Sequence, residues 1–212
     1  MKEIIAQHPI IAILRGVPLQ HTLDYARTAF EGGIAAFEVA LNSEHALRQI
    51  ELLAGHFGPN AVVGAGTVTT VQRARAALAA GASFLLSPSA NGEVLDYCAQ
   101  NRVKLLPGVM TPTDVSVCVN SGFTVLKLFP AGDLPATYLR SLQGPFEDTE
   151  YVAVGGVGPE NLTEFFAAGY IGVGIGSSLI PQALQCGDSW DKARIRIAGM
   201  VAEASKARLG TK

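Results

Sequence analysis

Cysteine is scarce in this chain of 212 residues, which has only Cys98, Cys118 and Cys186. The number is odd, the spacing is wide, and no CxxC pair or cluster of histidine and cysteine accompanies them. A disulfide framework and a structural zinc site are therefore not expected. The four histidines show no HxxxH or HxxE spacing either. The sequence predicts neither a metal nor a cofactor.

Charge is also sparse, with 16% charged residues and a net charge of −2. Such a balance does not indicate a nucleic-acid partner or an anionic membrane. The apolar N-terminal stretch MKEIIAQHPIIAILRG is interrupted by polar residues and lacks the core of a signal peptide. No apolar run is long enough to span a bilayer. We therefore expect a soluble cytoplasmic protein.

What the chain does have is a repeating pattern of a helix end, a glycine and a short β-like run. It occurs in FEGGIAAFEVAL (30–41), LAAGASFLLSP (78–88), VNSGFTVLKLFP (119–130) and FAAGYIGVGIGS (166–177). Four more apolar runs complete a set of eight strands: PIIAIL (9–14), AVVGAG (61–66), VKLLPG (103–108) and YVAVGG (151–156). Runs that are apolar on both faces indicate a parallel sheet covered by helices.

Eight such units predict a single α/β domain, a (β/α)8 TIM barrel over residues 1–212. The closing helix is expected over 188–208, and another helix is expected to begin at Gly158–Pro159. A doubly wound open sheet is the alternative. No GxGxxG follows the first strand to favour it.

The stretch TVLKLFP places Lys127 inside an apolar strand, where lysine is rarely buried without a partner or a chemical role. Glu38 and Lys127 each stand five residues after a glycine that ends a helix, Gly33 and Gly122 respectively. The two charges thus occupy equivalent places in repeats two and six, which face each other across the barrel. Both are predicted to point inward and to meet near its axis.

Burial would lower the pKa of such a lysine and give a neutral amine able to form a Schiff base. Glu38 would then move protons during imine formation and at the carbon that becomes nucleophilic. The alternative is a buried ion pair with a structural role only. Because the active site of a TIM barrel lies at the C-terminal strand ends, we favour the catalytic interpretation.

Other candidate residues also follow the strands. Glycine at the ends of strands seven and eight can bind phosphate through backbone N–H groups, or can serve tight turns alone. The candidate phosphate-binding residues are Gly155, Gly156, Gly176 and Ser177. An arginine at a strand end can hold a carboxylate, and a nearby hydroxyl can donate to it or cap the next helix. The candidate carboxylate- and pyruvate-binding residues are Arg15, Thr67, Pro88 and Phe129.

Eight motifs occur in order along nearly the whole chain: ILRG (13–16), EVALNS (38–43), GAGTV (64–68), LLSPS (85–89), LLPGVMTPTD (105–114), LKLFPA (126–131), AVGGVGPEN (153–161) and GIGSSL (174–179). They resemble the 2-keto-3-deoxy-6-phosphogluconate/6-phosphogalactonate aldolase family. The resemblance implies a class I aldolase that splits such a phosphorylated keto sugar acid into pyruvate and glyceraldehyde 3-phosphate. It also implies a (β/α)8 barrel and a homotrimer, with the Schiff-base lysine at Lys127 and the acid/base glutamate at Glu38.

Two positions bear on which sugar acid is the substrate. Members of the phosphogluconate type often have LRT where this chain has Leu41-Asn42-Ser43, and often have threonine where it has Val154. Asn42 and Val154 therefore resemble the phosphogalactonate type, and Arg15 is expected to replace the missing carboxylate-binding arginine. The alternatives are a 4-hydroxy-2-oxoglutarate aldolase and a non-catalytic phospho-sugar-binding barrel in which Lys127 only neutralises Glu38.

Overall fold

The structure, a computed structural model, describes residues 1–185, 187 and 189–209. Cys186 and the expected helix start at Asp188 lie outside the described residues. The strands are β1 (Ile10–Leu14), β2 (Ala36–Ala40), β3 (Val62–Gly66), β4 (Phe84–Leu86), β5 (Leu105–Leu106), β6 (Gly108–Val109), β7 (Val125–Leu128), β8 (Glu150–Val154) and β9 (Gly172–Ile175). The α-helices are α1 (Lys2–Gln7), α2 (Thr22–Glu31), α3 (Ala46–Phe57), α4 (Val71–Ala79), α5 (Gly92–Gln100), α6 (Pro112–Asn120), α7 (Tyr138–Gln143), α8 (Leu162–Ala168) and α9 (Ser189–Leu209).

All strand pairs are parallel, in the order β5-β4-β3-β2-β1-β9-β8-β7-β6. The two ends of this sheet, β5 and β6, are separated along the chain only by Pro107. The sheet is thus a nearly closed barrel in a single α/β domain, as the sequence predicts. The expected fifth strand is split because proline has no N–H to donate to a neighbouring strand. Its carbonyl still accepts a hydrogen bond from the Lys127 N–H, at 2.8 Å.

Two apolar clusters hold the barrel together. One fills its interior and includes Ile11, Ile13, Phe84, Val125 and Val152. The other lies between the strands and the surrounding helices. Alternate residues of each strand contribute to the two clusters, because side chains along a strand point to opposite faces. Helix α1 adds Ile4 and Ile5 to the inner cluster, at the N-terminal end of the barrel.

The expected helix-ending glycines have the left-handed backbone that favours this residue. Gly33, Gly81, Gly122 and Gly169 have φ between 87° and 104°. Because the geometry is shared, the number of residues from the glycine to the strand is comparable between repeats. Glu38 on β2 and Lys127 on β7 therefore occupy equivalent positions in their strands.

The expected helix start at Pro159 is wrong, since α8 begins at Leu162. The side chain of Asn161 bonds to the preceding loop, donating to the Gly156 carbonyl at 2.8 Å and accepting from the Gly158 N–H at 2.9 Å. The chain is thereby held in a turn over residues 159–161.

Candidate active site

Strands β2 and β7 carry the two buried charges. Glu38 is 1% exposed and Lys127 is 3% exposed. Glu38 is flanked by Ile13 of β1 and Gly64 of β3. Its carboxylate lies over the next glycine of β3, Gly66, where any Cβ would overlap it. The glycines of GAGTV therefore make room for the acid inside the barrel.

Lys127 lies between Gly108 of β6 and Val152 of β8. Its Nζ stands 4.8 Å from the centre of the Phe129 ring, which is close enough for a cation–π contact with the ammonium form. Gly108 in turn packs against the backbone of Ser87 and Pro88, with no space for a Cβ. Phe129 thus lies near the lysine Nζ, and Pro88 packs against the strand that pairs with β7.

Burial dominates the electrostatics of this pair. It raises the pKa of the Glu38 carboxyl, and the positive charges of Lys127 and Arg15 oppose part of that rise. It lowers the pKa of the Lys127 ammonium, Glu38 opposes part of that fall, and Arg15 adds to it. Both shifts favour the uncharged forms, and an uncharged lysine is the nucleophilic one.

The pair is not a closed ion pair. Glu38 Oε2 is buried and has no hydrogen-bond partner among the described residues. A buried polar atom without a partner costs free energy and is uncommon unless it has a function. This carboxylate is therefore available to a bound molecule, which argues against a purely structural role.

A cavity of about 420 Å³ opens at the C-terminal ends of β1, β7, β8 and β9. Seven of the sequence-predicted site residues line it: Arg15, Phe129, Val154, Gly155, Gly156, Gly176 and Ser177. Arg15 and Ser177 are exposed, and within the described part of the chain neither side chain forms a hydrogen bond or an ion pair. The cavity thus combines a free guanidinium, a free hydroxyl and glycine-rich loops, which suits an anion.

We call the two loops that carry the predicted phosphate-binding residues, 155–158 and 176–178, the phosphate cradle. Both loops are held from several sides. The Gly132 N–H donates to the Gly155 carbonyl at 2.8 Å, and a Cβ on Gly132 would press on the Gly156 backbone. The Ser178 hydroxyl donates to the Val157 carbonyl at 2.9 Å, so the two loops are joined directly.

Positions 155 and 156 require glycine for two reasons. Their φ angles are 87° and 72°, and a Cβ on Gly155 would lie 3.0 Å from the Phe129 ring. Because Gly155 has no side chain, its backbone can lie directly against the Phe129 ring, which contacts Lys127.

Thr67 and Asn42 lie together, outside the lining of this cavity. The Thr67 hydroxyl is 3.4 Å from the Asn42 side-chain oxygen, to which it donates weakly. Thr67 has φ of 60°, a rare backbone for a threonine, and its carbonyl accepts a hydrogen bond from Arg73 at 3.2 Å. Arg73 also bonds to the Thr69 hydroxyl, at 3.0 Å. The sequence contained no signal for the part that Arg73 takes here.

The structure also adds Asn161, Gly132 and Ser178 to the residues that shape the site. Asn161 and Ser178 belong to two of the motifs identified in the sequence, AVGGVGPEN and GIGSSL. The motifs do not show which carbonyls these two side chains bind. Among the described residues, no three histidine, cysteine, aspartate or glutamate side chains are grouped so as to hold a metal ion. Within the same residues, no helix has the length and apolarity needed to cross a membrane.

Comparison with known proteins gives consistent matches. Residues 1–195 match the family described as KDPG and KHG aldolase. A 2-dehydro-3-deoxy-phosphogluconate aldolase of Pseudoalteromonas atlantica is 32% identical over 90% of this chain and 89% of its own. A 2-dehydro-3-deoxy-6-phosphogalactonate aldolase of Escherichia coli is 32% identical over 81% of this chain and 84% of its own.

A solved structure agrees with these matches. The KDPG aldolase of Legionella pneumophila, with pyruvate captured as a covalent carbinolamine intermediate, superposes with a TM-score of 0.84 at 28% identity, over 93% of this chain and 96% of that one.

Proposed function

Because this chain belongs to the KDPG and KHG aldolase family, whose chemistry is that of a class I lyase, we propose that it cleaves 2-keto-3-deoxy-6-phosphogalactonate, or the gluconate epimer, to pyruvate and D-glyceraldehyde 3-phosphate. The observation that carries this proposal is that Lys127 and Glu38 are both buried and coupled electrostatically, that Glu38 Oε2 has no hydrogen-bond partner among the described residues, and that a cavity suited to an anion opens nearby. KDPG denotes the 6-phosphogluconate compound, and KHG denotes 4-hydroxy-2-oxoglutarate.

The reaction begins with attack of the neutral Lys127 amine on the C2 carbonyl of the substrate. A carbinolamine forms, and loss of water gives an imine joined to Nζ. We assign protonation of the departing hydroxyl to Glu38, because burial raises the pKa of its carboxyl and so favours the protonated form. The product is a protonated imine, which leaves Glu38 ionised and withdraws electrons from the neighbouring carbons.

Cleavage then follows from the imine. Removal of the C4 hydroxyl proton allows the C3–C4 bond to break, its electrons pass into the imine as an enamine, and the aldehyde leaves. We assign the proton transfer to Glu38, directly or through a water molecule. Protonation of the enamine at C3 and addition of water release pyruvate and regenerate the amine.

The phosphate cradle and Arg15 account for the phosphate end of the substrate. Backbone N–H groups of Gly155, Gly156 and Ser177 can approach the phosphate oxygens closely, and Arg15 lines the same cavity. That placement favours a phosphate contact for Arg15 over the carboxylate contact expected from the sequence. We assign the carboxylate end to Thr67 and Pro88, which follow β3 and β4 and lie outside the lining of this cavity.

We also propose a preference for the galactonate epimer. Val154 lines the cavity without a hydroxyl, and Asn42, beside Thr67, carries no charge. The two epimers differ at one carbon only, so a single contact at this wall can bias the choice.

A second candidate activity is aldol cleavage of 4-hydroxy-2-oxoglutarate, which the family description includes. It would use the same lysine but would leave the phosphate cradle without a phosphate. Comparing kcat/KM for the phosphorylated and the unphosphorylated acids separates the two. For the assembly, the homotrimer implied by the resemblance is our proposal, and a mass measurement by light scattering tests it.

Borohydride trapping with pyruvate, followed by peptide mass spectrometry, tests the chemistry. We expect a reduced pyruvyl adduct on the peptide that contains Lys127, and release of glyceraldehyde 3-phosphate when the phosphorylated acids are supplied. A folded protein that forms no adduct would contradict the imine mechanism and favour the binding-barrel alternative.

A further inference from the structure

We propose that Arg196 of α9, outside the cavity lining, is a positioning residue that sets the geometry of the phosphate cradle. This inference deepens the proposed function, since it concerns the affinity of that site for phosphate.

Arg196 reaches the backbone of the second cradle loop. Its Nη1 donates to the Ser178 carbonyl at 3.0 Å and to the Leu179 carbonyl at 3.3 Å. Its Nη2 lies 3.4 Å from Glu160 Oε1, and Glu160 follows the first cradle loop and lines the cavity. One guanidinium therefore connects the C-terminal helix to the second loop and to Glu160, just after the first loop.

The contact with Ser178 is transmitted to the cavity through a rigid unit. A peptide group is planar, so fixing the Ser178 carbonyl also fixes the N–H of Leu179. That N–H donates to the Gly176 carbonyl at 3.0 Å, and Gly176 lines the cavity. The cation on the carbonyl side also polarises the same peptide group, which strengthens its N–H as a donor.

Ser178 extends the effect to the first loop. Its hydroxyl donates to the Val157 carbonyl at 2.9 Å. With the Ser178 backbone fixed by Arg196, this hydroxyl holds residues 155–158 at a constant distance from residues 176–178. Phosphate binding by backbone N–H groups needs such fixed spacing, because the donors cannot move independently to suit the ligand.

Arginine suits this position better than lysine does. Its planar fork presents several N–H donors in fixed directions, whereas an ammonium is a point charge on a flexible stem. Helix α9 is anchored by the buried residues Ala193, Ile197 and Met200, so the base of the arginine is immobile. Arg196 thus fixes the position of the loops relative to the core of the domain.

The same helix provides a matched control. Arg194 is 39% exposed and Arg196 is 34% exposed. Arg194 makes ion pairs too, with Asp191 at 3.3 Å and Glu31 at 3.9 Å, but none of these groups lines the cavity. Replacing it removes an equivalent charge from the same helix and leaves the cradle untouched.

The test compares Arg196→Ala, Arg196→Lys and Arg194→Ala with the parent protein in three measurements: the Kd of inorganic phosphate by calorimetry, KM and kcat for the phosphorylated keto acid, and the rate of borohydride trapping with pyruvate. We expect Arg196→Ala to raise the phosphate Kd and KM about tenfold, as loss of charge-assisted hydrogen bonds predicts. Pyruvate trapping should stay within about twofold, since pyruvate has no phosphate. Arg196→Lys should recover part of the loss, and Arg194→Ala should match the parent.

An unchanged phosphate Kd in Arg196→Ala would overturn the proposal. So would a parallel loss of phosphate binding and pyruvate trapping, which would mean a general structural role. If Arg196→Ala does not fold, an Arg196→Lys variant that binds phosphate as the parent does would overturn it instead. Phosphate binding is measured without turnover. A parent protein that lacks aldolase activity would refute the proposed function, but the effect of Arg196 on the phosphate Kd could still be determined.

Discussion

The proposed reacting pair, Glu38 and Lys127, and the proposed phosphate cradle are built in opposite ways. Glu38 and Lys127 stand on strands, with a hydrogen-bonded neighbour on each side, and both are almost fully buried. The cradle lies on loops, and Gly156 and Ser177 are exposed. It is held by hydrogen bonds that involve Gly132, Asn161, Ser178 and Arg196.

The difference follows from what each part must do. A lysine loses its proton near neutral pH more readily in a dry environment, and the barrel interior provides one. A phosphate already carries its charge and is bound well by N–H groups at an open loop. Burial of the pair therefore costs the fold free energy, whereas the cradle loops contain no ionisable side chain. Substitutions in the two parts should have different signatures.

The largest effect is expected from Lys127→Met. It removes the nucleophile, so cleavage and pyruvate trapping should both fall about 10⁴-fold or more. Steady-state kinetics with the phosphorylated acid and mass spectrometry after borohydride measure the two losses. Lys104→Met is the control, because Lys104 is exposed and precedes β5 at the opposite end of the barrel. A Lys127→Met enzyme with substantial turnover would show that no imine is needed.

Glu38→Gln comes next, because it keeps the shape of the side chain but removes the proton carrier. We expect kcat to fall by about 10²–10⁴-fold. The pH dependence should move as well: Glu38 opposes the lowering of the Lys127 pKa, so its loss lowers that pKa further. Pyruvate trapping measured against pH should therefore lose rate at a lower pH than in the parent. A shift to higher pH would mean that the carboxylate does not stabilise the ammonium.

Stability should change in the opposite direction to activity. Burial disfavours the ionised form of both groups, so the parent carries a cost between their ordinary pKa values of 4.5 and 10.5. The double variant Glu38→Gln/Lys127→Met should thus be more stable at pH 7, by about 1–4 kcal/mol in urea unfolding.

The pH dependence of the free energy of unfolding tests the direction of this stability change. A lowered lysine pKa weakens the fold as pH falls, so the gain from Lys127→Met alone should shrink as pH rises towards 10.5. A double variant less stable than the parent at pH 7 would identify the pair as a stabilising ion pair.

The same contrast explains how much of the molecule could be predicted from its sequence. The barrel and the inward direction of Glu38 and Lys127 follow from local rules, because a left-handed glycine and a two-residue period fix the register of a strand. The bonds that shape the cradle join residues far apart in the chain, such as Arg196 to Ser178. No local pattern encodes such a bond. The predicted helix start at Pro159 is wrong for a local reason, since Asn161 bonds backwards to Gly156 and Gly158 and holds the chain in a turn.

The smallest effect is expected at the wall between the two parts, where Val154 is 4% exposed and lines the cavity. Its Cγ2 lies 2.9 Å from where a Cβ of Gly174 would stand, so the side chain is closely confined. Val154→Thr replaces a methyl by a hydroxyl of nearly the same size and can add one hydrogen bond to the substrate. The ratio of kcat/KM for the gluconate and galactonate acids should move towards gluconate by about fivefold, the worth of one neutral hydrogen bond.

Val154→Ala is the matched control, since it alters the volume without adding a donor and should weaken both substrates alike. An unchanged ratio in Val154→Thr would assign the selectivity to the contact between Asn42 and Thr67 instead. The reacting pair would then choose between epimers through the carboxylate end of the substrate, and the cradle would contribute affinity alone.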